Sequence, residues 1–357
     1  MARRNRRPLG PLDLRAQAIL RAVIEEYVTT AIPVSSHALV EKYSLPVSTA
    51  TVRNVLAELE AAGLLTHPHT SAGRVPTDVG YRYYVESIVE TEPIPAVEQL
   101  MIRHQFGQVE YASEHWFRLA ATTLATATGS AGLATPAKPQ AARLRRIDLV
   151  SIHDRLASLI LVLREGTVKQ QLVNFDAPRT HQTLTSAAIL VNQHLADLTA
   201  AQIERRLGRF DEVGGEDEVA ELARRIGERV LRMMRDFDAE KIEEVFSDGL
   251  LNVLAEPEFA QSEKVRRVFS ALENRAYLGE LIGSIVGDGQ VHVFIGEENR
   301  PIEMHEVTLI LAPYGQPGRA MGVVGVLGPT RMSYRHAIGT VTFVSGLLDE
   351  LVDHLYA

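Results

Sequence analysis

The sequence predicts a multidomain α+β protein in which an N-terminal winged helix-turn-helix precedes an α/β domain interrupted by a mainly helical insertion. Three observations predict it. Residues 12–76 order as three amphipathic helices and a short hairpin; β-like runs occupy 147–175 and return at 291–327; the stretch 180–286 between them reads almost wholly as helix. A length of 357 residues accommodates two or three domains.

In the first segment Leu12, Ala16, Ile19, Leu20, Val23, Ile24 and Tyr27 recur at helical spacing, Asp13 stands near the start, and Pro33 ends the helix. Ser35 or Ser36 caps a second, short helix to about Tyr43, and Leu45-Pro46-Val47 turns the chain. Ser48 caps a third helix that reaches Ala62 and stops at Gly63. Leu64–His67 and Arg74–Pro76 are two short strands around the tip Pro68-His69-Thr70-Ser71-Ala72-Gly73. A fourth helix, Val79 to about Glu90, meets a joint at Pro93 and Pro95. Helix then covers most of 96–128 with a break near Gly107, and a short strand fits within Gly129–Gln140. Ile147–Ile152, Leu156–Leu163 and Val168–Phe175 are joined by the meander connections His153-Asp154-Arg155 and Glu165-Gly166-Thr167. The helical stretch breaks at Gly208, Gly214-Gly215 and Pro257. Strands Val291–Ile295, Val307–Ala312 and Met321–Leu327 and a helix from Tyr334 to Leu355 follow.

Composition narrows the function. Cysteine is absent, which removes disulfides, thiolate metal sites and cysteine nucleophiles and fits a reducing cytosol. No run of eighteen apolar residues exists, so no membrane span is expected; the basic N-terminus lacks the apolar stretch of a secretory signal. The net charge of −8 argues against nucleic acid, but it is unevenly spread. Residues 1–85 carry ten Lys/Arg against seven Asp/Glu, and the remainder 27 against 38, a basic head on an acidic body. Screening confines each field to about 8 Å at physiological salt, so the head still attracts phosphates.

The sharpest motif is Ser48-Thr49-Ala50-Thr51-Val52-Arg53-Asn54-Val55-Leu56-Ala57. Val52, Val55, Leu56 and Leu59 fall on one buried stripe, and Ala50, Asn54 and Ala57 centre the opposite face with Arg53 at its border. Small residues let such a helix sit deep in a major groove, where Arg53 suits guanine and Asn54 adenine. The hydroxyls of Ser48, Thr49 and Thr51 suit phosphates at a helix start. His67, His69, Thr70, Ser71 and Arg74 gather donors at the hairpin tip. The bland alternative, an amphipathic helix with one arginine and one asparagine, stands beside this reading until helix, turn and hairpin are taken together. His67 and His69 without a cysteine or carboxylate nearby make a poor metal site. The arginines at 3, 4, 6 and 7 serve either as a minor-groove arm or as a solubilising tail.

Other clusters carry less. Glycines 322, 325 and 328 lack the spacing of a dinucleotide or phosphate loop and read as close sheet packing or a dimer contact. Glu297, Glu298, His305 and Glu306 read as solvated loop charge rather than acid–base or cation chemistry. Trp116, Phe117, Tyr277 and Phe343 read as core or interface. No nucleophile–base pair, metal cluster or phosphate cradle assembles, so neither an enzyme nor a cofactor is expected.

Several strings resemble the heat-inducible transcription repressor HrcA family: Tyr27 to Ser36, Ser48 to Asn54, Pro68-His69-Thr70-Ser71-Ala72-Gly73-Arg74-Val75-Pro76-Thr77, Gly80-Tyr81-Arg82-Tyr83-Tyr84-Val85, Val293 to Asn299, and Gly322 to Tyr334. The resemblance is collinear over essentially the whole chain. It departs at Val55, where the family usually has aspartate, and at Ser35, where it has glycine. It implies a repressor of chaperonin and chaperone operons that binds inverted-repeat, double-stranded operator DNA as a homodimer, releases it on heat stress, and is supported by the GroE-type chaperonin. It further implies a cytoplasmic protein, nucleoid-associated when bound to DNA. Its implied domains are a winged helix (1–90), a discontinuous GAF-like domain (91–175 and 275–357) and an inserted dimerising domain (176–274), whose small antiparallel sheet takes in part of 145–175. Because GAF-like folds often sense small molecules, a metabolite-responsive regulator is the rival reading, resting on fold analogy.

Overall fold

Asp13 starts the first helix by accepting the Ala16 N–H at 2.7 Å, and α1 (Leu14–Thr30) runs until Ala31 turns left-handed at φ 55°. The structure is a computed structural model and describes residues 12–43, 46–68, 73–89, 93–109, 113–139, 141–164, 166–207, 218–239, 245–259, 281, 285, 289–316 and 320–356. The basic arm, the tip residues 69–72, Tyr277 and the helix breaks at 208 and 214–215 lie outside the described residues.

Ser35 caps α2 (Ser36–Tyr43) through the Ala38 N–H at 3.2 Å, and Ser48 caps α3 (Thr49–Ala61) through that of Thr51 at 3.2 Å. Strands β1 (Leu65–Thr66) and β2 (Val75–Pro76) pair antiparallel, Thr66 opposite Val75, and each is shorter than the sequence predicts. Thr77 caps α4 (Asp78–Ser87) through the Gly80 N–H at 3.0 Å. Ile19, Leu20, Val23, Leu39, Val52, Leu56, Leu59 and Leu64 are almost fully buried and form the core of this head.

Two compact units comprise the chain: residues 1–136, 244–314 and 322–349 form one, and 137–243, 315–321 and 350–357 the other. In the first unit, α5 (Ala96–Gly107) and α6 (Ser113–Thr128) lead into an antiparallel sheet. Its strand order is β8 (Phe246–Asp248), β3 (Ala131–Ala134), β11 (Ala320–Pro329), β10 (Val307–Gly315), β9 (His292–Ile295). A two-residue strand, β4 (Lys138–Pro139), pairs with Ala320 and Met321. Eight successive residues of β10 from Val307 are buried, so both faces of the sheet are covered. Val307, Leu309 and Leu311 pack with Leu133, Val323, Leu327 and Phe259 on one side. A further short helix, α10 (Leu250–Leu254), packs on β3, and the long last helix α11 (Tyr334–Tyr356) is tied to β10 where Ser345 Oγ donates to the Pro313 carbonyl at 2.9 Å. A Cβ at Gly325 would overlap the Ile310 carbonyl, and one at Gly322 the Tyr314 ring, so these glycines serve close packing within the sheet. Strand β8 adds to the reading of 180–286 as almost wholly helical: three residues are too few to interrupt a helical pattern visibly, and pairing with β3 fixes them.

In the second unit β5 (Leu144–His153), β6 (Leu156–Leu163) and β7 (Val168–Asn174) form the expected meander, with Ile160 opposite both Asp148 and Gln170. One face packs on α7 (His181–Leu195), with α8 (Ala200–Leu207) and α9 (Glu218–Ala239) behind it. Leu149, Leu159, Leu161, Val173, Leu184, Val191, Ile226 and Met234 share one core. Asn192 on α7 reads the backbone of Ile147 from both sides, accepting its N–H at 2.8 Å and donating to its carbonyl at 2.9 Å. The meander thus sits with the helices that follow it, whereas the sequence reading grouped residues up to 175 with the other sheet.

Candidate nucleic-acid interface

The face of α3 opposite its aliphatic seam is open. Ala50, Arg53, Asn54 and Ala57 are exposed, while Val52, Val55, Leu56 and Leu59 are buried. Neither Arg53 nor Asn54 engages another described residue. Ser48 is exposed and Thr49 and Thr51 half-buried at the N-terminal end, where the Ser48 and Thr51 hydroxyls lie 3.0 Å apart. The helix therefore presents small side chains at its centre, a guanidinium and a carboxamide beside them, and hydroxyls with free backbone N–H groups at its tip. Val55, 8% exposed, lies on the seam, so the departure from aspartate does not touch the open face.

The hairpin is braced against the same helix. Glu60 near the end of α3 contacts Nδ1 of His67 and ion-pairs with Arg74 at 2.7 Å. Arg74 also exchanges backbone hydrogen bonds with Val34, 2.8 Å and 2.9 Å. A Cβ at Gly73 would collide with the Val34 carbonyl 2.5 Å away, so the chain approaches that closely because residue 73 has no side chain. Of the five predicted tip donors, His67 and Arg74 are thus held by Glu60, and His69, Thr70 and Ser71 lie outside the described residues.

A second constellation joins this head to the sheet within the first unit. Arg82 on α4 ion-pairs with Glu298, and Asp78 accepts the Glu297 N–H at 2.9 Å. The Arg331 guanidinium, its side chain 10% exposed, pairs with Glu256 and with Glu258 at 2.7 Å and donates to the Val28 carbonyl at 2.8 Å. Tyr334 lies between Tyr81 and Tyr84, ring centroids 5.5 and 6.5 Å away. Glu298 is therefore a structural partner of the head, which corrects its reading as solvated charge, and Glu297 reaches the head through its backbone N–H. Burial raises the Asp78 pKa from its ordinary 3.8, and the charges of Glu297 and Glu298 raise it further against the lowering Glu297 N–H. A raised carboxyl contributes stability fully below its ordinary pKa and loses it as pH climbs through the raised value. Asp78→Asn keeps a carbonyl acceptor for Glu297. Its melting temperature should gain on the parent's as pH rises above the ordinary carboxylate range; a gap that is constant or narrows would contradict this.

Residues 114–338 match the family model described as HrcA protein C terminal domain. The chain belongs to the HrcA family. Among its HrcA relatives, the heat-inducible transcription repressor HrcA of Roseiflexus castenholzii is 42% identical over 96% of this chain and 95% of that protein. The protein of the same name from Chloroflexus aggregans is 41% identical over 97% of this chain and 94% of its own length. These relatives are transcription repressors rather than enzymes. A crystal structure described as a hypothetical protein, 21% identical, aligns over 97% of this chain and 100% of that one with a TM-score of 0.60, which shows a shared fold. Among the described residues no helix is long and apolar enough to cross a membrane.

The segments that carry the HrcA resemblance converge on the constellation joining head and sheet: Arg82 belongs to one, Glu297 and Glu298 to a second, Arg331 and Tyr334 to a third. Sequence reasoning missed all of these pairings, together with Glu60. Helical spacing finds partners three or four residues apart, and Arg82 and Glu298 are separated by 216. The available signal was the recurrence of charged residues inside the quoted strings.

Proposed function

We propose that this chain is a sequence-specific repressor of heat-shock chaperonin and chaperone operons, gripping an inverted-repeat operator as a dimer. The observation that carries the reading is the exposed, unengaged face of α3, set opposite a seam that anchors the helix in the head core. In this reading residues 12–89 are a winged helix with α3 in the major groove. Arg53 takes a guanine edge, Asn54 an adenine, Ala50 and Ala57 permit close approach, and Ser48, Thr49 and Thr51 anchor phosphates. His67, His69, Thr70, Ser71 and Arg74 form the wing, with Glu60 setting its position relative to the reading helix.

The discontinuous sheet of the first unit is the GAF-like domain, and residues 137–243 are the dimerising insert. Val150, Val168 and Leu172, each about half exposed, share the outer face of its meander with Ile160 and Val162 and with the polar Arg146, Asp148, Ser158 and Gln170. This mixed face, with three large apolar side chains exposed, is the surface we assign to a second copy. Pairing sets two recognition helices about 34–36 Å apart or a multiple of it. Heating that dissociates or loosens the dimer releases the operator, and the GroE-type chaperonin restores the active form; the description of the relatives as heat-inducible transcription repressors supports the first step.

The test is a gel shift with a chaperone-operon inverted repeat against a scrambled copy. The parent should prefer the repeat. Arg53→Ala should weaken that binding by about 1–3 kcal/mol and relax preference at one base pair per half-site. Arg74→Ala should weaken repeat and scrambled DNA alike. Equal affinity of the parent for both DNAs sinks the proposal.

A further inference from the structure

Beside the sheet, α5, α6 and the start of α11 line a cleft of about 490 Å³ that is open to solvent on one side, within the range that small-molecule sites occupy. Its wall is mostly apolar, with Ile102, Met101 and Leu119 contributing, and the Glu98 carboxylate stands in it. Glu98, its side chain 19% exposed, has only the His336 Nε2 3.7 Å away, and that N–H is already given to the Ala127 carbonyl at 3.0 Å. The carboxylate thus accepts no hydrogen bond from any described residue.

We infer that this cleft is a binding site for a small amine: an apolar body against Ile102, Met101 and Leu119, and an ammonium on Glu98. Glu98 disfavours an anion in the same place, and a neutral head leaves the half-buried carboxylate unanswered. The site is separate from the α3 face, so it does not depend on the operator reading.

Isothermal titration of the full chain with 4-phenylbutylamine, 4-phenylbutanol and 4-phenylbutyrate tests the inference, because the three probes share one apolar body and differ in head charge. The amine should bind at millimolar concentration or below and at least about tenfold more tightly than the butyrate. Glu98→Gln should erase most of that advantage while leaving the butanol unchanged, and Ala127→Phe should exclude all three by filling the space. The inference is overturned if none of the probes binds, if the three bind equally, or if the amine keeps its advantage in Glu98→Gln. Should Ala127→Phe fail to fold, as circular dichroism would reveal, the Glu98→Gln comparison decides alone.

Discussion

Arg331→Ala is expected to destabilise the first unit by about 2–3 kcal/mol and to loosen the head from the sheet. The arginine is 10% exposed and answers two carboxylates and a backbone carbonyl at once. Alanine leaves Glu256 and Glu258 facing each other without a counter-charge and the Val28 carbonyl without its donor. The expected cost falls below the 3–5 kcal/mol of a fully buried pair because the two glutamates, 33% and 25% exposed, can be partly rehydrated. Hydrogen exchange should report the loss locally, with faster exchange in α1 and α4 than in the meander of the second unit. Arg331→Lys separates charge from geometry: it keeps the cation but cannot fork to two carboxylates and a carbonyl, so it should recover only part of the loss. An unchanged melting temperature in Arg331→Ala would show that these pairs add nothing to the fold.

Local order was legible in the sequence, and long-range order was not. Asp13, Ser35 and Ser48 cap the helices they precede, because a cap needs only a side-chain oxygen and an N–H two or three residues on. The seam of α3 followed from 3.6-residue periodicity alone, and so did its open face. The meander was legible because its connections are short and each strand pairs with the next. What periodicity cannot give is which core a meander joins: its buried face reads the same whether the covering helices come before or after it. The Asn192 bridge to Ile147 and the core shared with α7 and α9 decide that point in three dimensions. The junction around Arg331 and Arg82 was illegible for a related reason. Its charges come from four separate segments, and in each segment alone a charged loop is most simply solvated.

Leu172→Glu is expected to have the largest effect on operator binding while leaving the protomer's fold intact. Leu172 is 55% exposed on the outer face of the meander, across Ser158 from Val150, so a glutamate there meets water in the isolated chain. In the proposed two-fold assembly the same patch meets itself, and one substitution places two carboxylates in one contact. Central interface positions commonly cost 2 kcal/mol or more when changed, and burying an unpaired charge adds to that. The dimer dissociation constant should therefore rise by about two to three orders of magnitude. Operator affinity should fall with it, because each half-site must then be bound without the effective concentration that a linked partner supplies. Sedimentation of parent and variant at several concentrations reads the first effect, and a gel shift on the inverted repeat reads the second. A half-site duplex should bind both proteins alike, since each protomer keeps its own α3 face. If Leu172→Glu remains a dimer, the pairing surface lies elsewhere on the chain. If it becomes a monomer and still grips the full operator as tightly, dimerisation is not what makes binding strong.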